Sequence, residues 1–281
     1  MIEFSNQNLI SIKLRPWEDE NASKMLEDYK GQAIPLLIFL NSEGQEVDRV
    51  LGFYPADEYL AIIRDIYNGK DTYLSLKEAY NQGNKDLSII SKLAIKCDDN
   101  RDPKFCKDVY SEIINVSDEI GHDILFKAEL FFANDKLLDG NEESLINLIE
   151  KNSDKDYVVD AYYSIIQHYM ISSQSKLEAE YYRKFTDQFK NDSSVLNGYA
   201  WRMSELGINL EDALEKSTIA INLLEKEDEQ LKSYILDTKA ELLWLLGRNK
   251  EAIDAINLAI KINLDSEYFK EQKLKFEESI K

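Results

Sequence analysis

The chain of 281 residues contains only two cysteines, Cys97 and Cys106. Two cysteines at this separation provide neither a disulfide framework nor the Cys-x-x-Cys motif of a redox or zinc site. They lie on either side of the turn in a helical hairpin predicted over Leu87 to Ile114, where a disulfide is one alternative. The preferred interpretation is a pair of reduced thiols in a helical core, because cysteine is among the most frequently buried residues.

Positive charge and long apolar runs are also scarce. The 34 lysines and arginines face 53 acidic residues, which gives a net charge of -19 and argues against nucleic acid or anionic lipid as partners. The longest apolar run, Ile34 to Leu40, is far shorter than the roughly 20 residues of a membrane span, so no membrane insertion is expected. The opening Met1 to Phe4 lacks the features of a secretory signal, which predicts a cytoplasmic protein as the chain stands. A signal peptide in preceding sequence would instead indicate a periplasmic or other extracytoplasmic location.

Motifs for catalysis and metal binding are missing from the sequence. It has no glycine-rich phosphate loop, no Gly-x-Ser-x-Gly elbow and no His-Glu-x-x-His. Asp98, Asn100 and Asp102 have the spacing that opens an EF-hand loop, but Pro103 and Val109 stand where that loop requires glycine and glutamate. We therefore predict a connection between helices there, no metal, no cofactor and no catalytic residue.

Histidines and tyrosines supply two weaker candidates. His122 and His168 lie in ordinary helical sequence without metal-ligand spacing, so structural or exposed roles are expected. The pairs Tyr162-Tyr163 and Tyr181-Tyr182, together with Tyr157 and Tyr169, have two interpretations. They form an aromatic patch that binds a peptide, or they pack helices together, which explains them at least as well.

The prolines divide the chain into two parts. All four, at positions 16, 35, 55 and 103, lie in the first 103 residues, so the remainder can be almost continuous helix. The first 67 residues instead mix two periodicities, which predict strands at 9–14, 35–40 and 46–51, helices at 22–29 and 56–67, and a hairpin turn at 42–45.

The runs Ile34 to Gly44 and Arg49 to Phe53 resemble the C-terminal two-thirds of the thioredoxin family. In that family a proline at the position of Pro35 is cis and flanks the active site, and a glycine like Gly52 opens the loop after the last strand. Leu36 departs from the threonine usual after that proline in thioredoxin. The resemblance implies a partial thioredoxin-like α/β domain over residues 1–69.

The same resemblance implies that the Ile34–Pro35 bond is cis and that these two residues form a substrate-binding loop. The family's Cys-x-x-Cys segment has no counterpart here. The strand leading into that segment lies between the strands that resemble 9–14 and 35–40, so its loss leaves backbone groups of both without partners. Either the chain is a piece of a longer protein, or its three strands close into a smaller sheet.

From residue 70 to 281 the pattern is that of helical hairpins. In the last of these, Leu236, Ala240 and Leu243 line a first helix, and Ala252, with Ile256 and Ala259, lines a second after a turn at Gly247. A preceding unit repeats the arrangement, with corresponding alanines 39 residues apart. This resembles the tetratricopeptide repeat, whose small residues let paired helices approach closely. The small-residue positions are Ala200, Ala213, Ala220, Ala240, Gly247, Ala252 and Ala259.

Within the last hairpin, Ala252 is predicted to be buried against Ala240 and Leu243. Ala255 lies off the stripe of Ala252, Ile256 and Ala259, and leucine is expected to be tolerated better there.

Together these resemblances predict a mainly α protein, in which a partial thioredoxin-like α/β region precedes a tetratricopeptide-like superhelix. They imply a protein-interaction scaffold that binds a protein or peptide in the groove of the repeats. The alternative is a thiol-disulfide oxidoreductase whose Cys-x-x-Cys lies in preceding sequence. The residues present predict no disulfide reductase activity.

Overall fold

A computed structural model of the chain describes residues 2–31, 33–97, 102–225 and 228–279, and these ranges are mainly α-helical, as predicted. The chain divides into two compact units, residues 1–135 and 136–281. A boundary after residue 69 remains a prediction from the change in sequence pattern.

The N-terminal unit combines one β-hairpin with helices. Its elements are α1 Ile2–Asn8, α2 Glu20–Asp28, β1 Leu36–Leu40, β2 Glu46–Leu51, α3 Ala56–Tyr67, α4 Tyr73–Asn81, α5 Leu87–Lys96 and α6 Pro103–Asn115. A 3₁₀ turn at Ser117–Glu119 precedes α7, His122–Leu138, which crosses from the first unit into the second.

The predicted strands β1 and β2 pair antiparallel, with Leu37 opposite Val50. Asn41 forms the turn between them, because its side-chain oxygen accepts hydrogen bonds from the N–H groups of Glu43 and Gln45 at 3.0 and 2.9 Å. Gly44 completes the turn at φ 79°, a left-handed conformation that suits glycine. The local sequence signals for this hairpin and for α3 are confirmed.

The strand predicted at 9–14 is wrong. Residues 9–15 have no regular secondary structure, and Ile10 and Ile12 are 95% and 77% exposed. Their alternation of apolar and polar residues suits a strand, but a strand exists only when another strand supplies its hydrogen bonds. Among the described residues the sheet has two strands, not three.

The C-terminal unit is built from helices joined by short turns. They are α8 Glu143–Lys151, α9 Val159–Ile171, α10 Ser175–Gln188, α11 Ser193–Leu206, α12 Leu210–Leu223, α13 Glu229–Leu245, α14 Asn249–Ile262 and α15 Glu267–Glu278, with a 3₁₀ turn at Asp156–Val158. Each helix from α10 to α15 packs against the next, and α11 also packs against α13. Gly207 and Gly247 end α11 and follow α13 in left-handed conformations, which allows the sharp reversals between paired helices.

The six alanines of the predicted repeat positions are fully buried: Ala200, Ala213, Ala220, Ala240, Ala252 and Ala259. Most belong to one apolar cluster that also contains Phe269 and Phe276 of α15. Ala255 was expected to lie off the buried stripe, and this is wrong, because Ala255 is buried in the same cluster. Both α13 and α15 pack against α14, so a wider face of that helix is covered than one neighbour would cover.

Candidate functional site

The loop predicted by resemblance to bind substrate lies at the start of the hairpin. The Ile34–Pro35 bond is cis, as predicted. The carbonyl of Pro35 accepts a hydrogen bond from the N–H of Gly52 at 3.0 Å, while the Ile34 side chain is exposed. A substrate-binding role for these two residues stays a prediction.

The two thiols are placed in the core of the N-terminal unit. Cys97 and Cys106 are both buried there and no disulfide joins them. Of the residues with EF-hand-like spacing, Asp98 and Asn100 lie outside the described ranges. Asp102 caps α6 by accepting a hydrogen bond from the Phe105 N–H, and it also pairs with Lys77. This assigns Asp102 a role in starting the helix.

Histidine and metal chemistry receive little support from the geometry. His122 is the first residue of α7, and His168 is half-buried with Nε2 3.5 Å from a carboxylate oxygen of Glu142. Within the described ranges, no group of three or more histidine, cysteine or acidic side chains is arranged to hold a metal ion.

None of the described helices combines the length and apolar content needed to cross a membrane.

Most tyrosines of the predicted aromatic patch belong to the core. Tyr162 is 5% exposed and stacks on Phe185 with ring centroids 5.0 Å apart. Tyr169 and Tyr181 are also buried. Tyr163 is 48% exposed and meets the Phe185 ring edge-on. Helix packing therefore accounts for Tyr162, Tyr169 and Tyr181, whereas Tyr157 and Tyr182 are half-buried.

A different aromatic set lies at the surface of the C-terminal unit. Tyr163 on α9, Trp201 on α11, Tyr234 on α13 and Tyr268 on α15 are all exposed. We call these four side chains the aromatic row. Helix α13 packs against α11, and Lys275 of α15 contacts Glu241 of α13. Trp201, Tyr234 and Tyr268 therefore lie on helices that are neighbours in space.

The first of two ionic clusters lies beside Trp201. Glu178 of α10 is 1% exposed, and its carboxylate accepts hydrogen bonds from Nε and Nη2 of Arg202 at 2.5 and 3.2 Å. Arg202 also contacts Glu205 at 2.9 Å, and Trp201 Nε1 donates to Glu205 at 3.2 Å. The hydrogen bond to Glu178 raises the pKa of the Arg202 guanidinium, so this cation stays charged.

Next to this cluster, Tyr182 and Gly198 are in close contact. A Cβ atom added at Gly198 would lie only 2.8 Å from the hydroxyl oxygen of Tyr182. Burial raises the pKa of Tyr182 to about 12, so the hydroxyl keeps its proton at neutral pH. A glycine at 198 therefore lets α11 accommodate this phenol.

The second ionic cluster joins α13 to α15. Asp237 is buried, and burial raises its pKa to about 6, against the opposing effect of a hydrogen bond with Tyr268. Lys275 Nζ lies 2.7 and 2.6 Å from the two carboxylate oxygens of Glu241, and 4.1 Å from the centroid of the Trp244 ring. Tyr268 of the aromatic row is thus held by a buried acid.

One polar atom on α11 lacks a partner among the described residues. The side-chain oxygen of Asn197 is buried and accepts no hydrogen bond there. Asn197, Trp201 and Glu205 are spaced four residues apart, so they share one face of α11.

Comparison with protein-family models and with curated proteins found no match to this chain. The sequence analysis missed Trp201, Tyr234, Tyr268 and the Glu178–Arg202 pair. For Tyr234 and Tyr268 the sequence carries a weak signal. Each lies seven residues before a charged residue, Glu241 and Lys275, and shares a helix face with it.

Proposed function

We propose that this chain is a protein-interaction scaffold whose C-terminal unit binds a protein or peptide segment along the aromatic row. The observation that carries the proposal is the exposure of one large aromatic side chain on each of α9, α11, α13 and α15. Tyrosine and tryptophan dominate the energetics of protein interfaces, because they bury a large area and lose little side-chain entropy.

The ionic clusters support the same function. Arg202 is held by Glu178 and Glu205, and Lys275 by Glu241, so charged groups beside Trp201 and Tyr268 are fixed before any ligand arrives. Fixed side chains lose less entropy on binding than mobile ones.

The proposal includes a tetratricopeptide-like repeat domain over residues 70–281, a non-catalytic, partial thioredoxin-like region over residues 1–69, and a cytoplasmic location for the chain as it stands. Buried alanines at matching positions of the last two hairpins support the repeats. The order β1, β2, α3 supports the thioredoxin-like region.

The test is a selection of random displayed peptides on the full chain, followed by calorimetric titration of an enriched peptide. Alanine at Trp201 or Tyr234 should weaken binding by about tenfold or more, as expected for an interface hot spot. Leu258→Ala is the matched control, since Leu258 is exposed on α14. Enrichment of no peptide, or equal losses in all three variants, would contradict the proposal.

A second candidate is a thiol-disulfide oxidoreductase whose dithiol lies in preceding sequence. The exposed Ile34 beside Pro35, at the start of the hairpin, favours it. A longer open reading frame with Cys-x-x-Cys upstream of Met1, expressed and active in insulin reduction, would establish this candidate.

A further inference from the structure

The first observation concerns the hydrogen bonds of β1. In an antiparallel pair, alternate residues exchange both backbone bonds with the partner strand. The Gly52 N–H donates to the Pro35 carbonyl, so the bonded positions in β1 continue at residues 37 and 39. The N–H and C=O groups of Leu36 and Ile38 consequently point away from β2. Among the described residues no strand pairs with this edge.

The open edge lacks the features that normally block pairing. All five residues of β1 are Leu, Ile or Phe, without a charge or a proline inside the strand. Ile34 just before the strand and Leu40 at its end are exposed apolar side chains. Such an edge is a template for another extended segment.

The second observation is a segment of the same unit, residues 9–14, that has no regular secondary structure. Residues 9–14 alternate in polarity, and Ile10, Ile12 and Leu14 are exposed. With Arg15 the segment carries two positive charges and no negative one, while the chain has a net charge of -19. At the contact these two positive charges reduce the repulsion between two copies of this acidic molecule.

We propose that residues 9–14 of one molecule add as a strand to the open edge of β1 in a second copy, and the reverse, so that the protein is a strand-exchanged dimer. In a single molecule Ile10 and Ile12 face solvent, so the segment does not cover its own edge. In a two-fold symmetric dimer the segment of each molecule pairs with the β1 edge of the other, so the backbone groups of both segments and both edges form hydrogen bonds. This dimer does not depend on the proposed ligand function.

The test measures the mass of the full chain by size-exclusion chromatography with light scattering over a range of concentrations. Ile38→Pro removes an outward N–H and leaves the bonds to β2 in place, and proline is tolerated at such edge positions. Ile12→Lys changes the segment outside any regular element. The control is Leu274→Lys, the same kind of change at an exposed position of α15.

The expected result is a dimer for the wild-type chain and for Leu274→Lys, and a monomer for Ile12→Lys and Ile38→Pro. Because proline could also unfold the hairpin, a mixture of singly substituted Ile12→Cys and Ile38→Cys proteins provides a second measurement. Oxidation should join one protein to the other. A monomeric wild type, a dimer that survives Ile12→Lys, or the absence of a disulfide between the Ile12→Cys and Ile38→Cys proteins would overturn the proposal.

Discussion

Replacing Arg202 with methionine should destabilise the C-terminal unit. The change retains much of the aliphatic volume but leaves the Glu178 carboxylate, 1% exposed, without its cation. Breaking a fully buried ion pair typically costs about 3–5 kcal/mol. The Arg202 side chain is 24% exposed, so water reaches the site from one side, and we expect about 2–3 kcal/mol.

The matched control is Glu205→Gln, which removes the other partner of Arg202. That carboxylate is 44% exposed, so its loss should cost at most about 1 kcal/mol. The double variant Glu178→Met with Arg202→Met removes both charges and should recover most of the lost stability, because no unpaired buried ion remains.

Urea denaturation followed by circular dichroism gives the free energy of unfolding for each variant. The reasoning is refuted if Arg202→Met lowers this free energy no more than Glu205→Gln does, or if the double variant is as unstable as Arg202→Met alone. In either case the burial of Glu178 does not determine the cost of breaking its ion pair with Arg202. The pair also joins α10 to α11, so the loss should be seen in helical signal as well as in tertiary fluorescence.

Three further outcomes are expected. Burial raises the pKa of the Asp237 carboxyl to about 6 in the folded protein, from an ordinary value near 4, so its contribution to stability is present at low pH and is lost as the pH rises from about 4 through 6. Asp237→Asn should therefore have a higher melting temperature than wild type at pH 8 and lose that advantage at pH 4. A difference in melting temperature that does not depend on pH would contradict this. Ala252→Leu should lower the free energy of unfolding by about 1–3 kcal/mol through overpacking, whereas Asp254→Leu at an exposed position of the same helix should change it by less than about 0.5 kcal/mol; similar urea midpoints would refute the packing argument. The purified chain should not reduce insulin, because its thiols are buried, and turnover that disappears with Cys97→Ser would show the opposite.

Local sequence signals were sufficient for the elements whose causes are local. The turn at residues 42–45, which contains Gly44, indicates the hairpin, and the spacing of apolar residues indicates α3, so both were predicted correctly. The strand at 9–14 failed because pairing depends on a partner elsewhere in the chain, which alternation alone does not supply. Ala255 failed for a related reason, since the width of a buried helix face depends on how many helices pack against it.

Most residues of the candidate site could not be predicted from the sequence. Tyr162 and Tyr163 are adjacent and chemically identical, yet only Tyr163 is exposed, because successive helix positions differ by about 100° in direction. Trp201 and Tyr234 look like core residues by type, and their exposure follows from how α11 and α13 pack. The Glu178–Arg202 pair links residues 24 positions apart, a separation that reflects hairpin geometry and not a motif.

The contact between Gly198 and Tyr182 has a consequence for how this sequence can change in evolution. With the hydroxyl removed, the nearest atom of the remaining ring, Cζ, would lie 3.9 Å from a Cβ at position 198, an ordinary van der Waals distance. Alanine at 198 is thus compatible with phenylalanine at 182, whereas with tyrosine the hydroxyl end of the phenol must shift. Natural variants of this protein should therefore exchange the two residues together, glycine with tyrosine or alanine with phenylalanine, and positions 182 and 198 should covary when relatives are aligned.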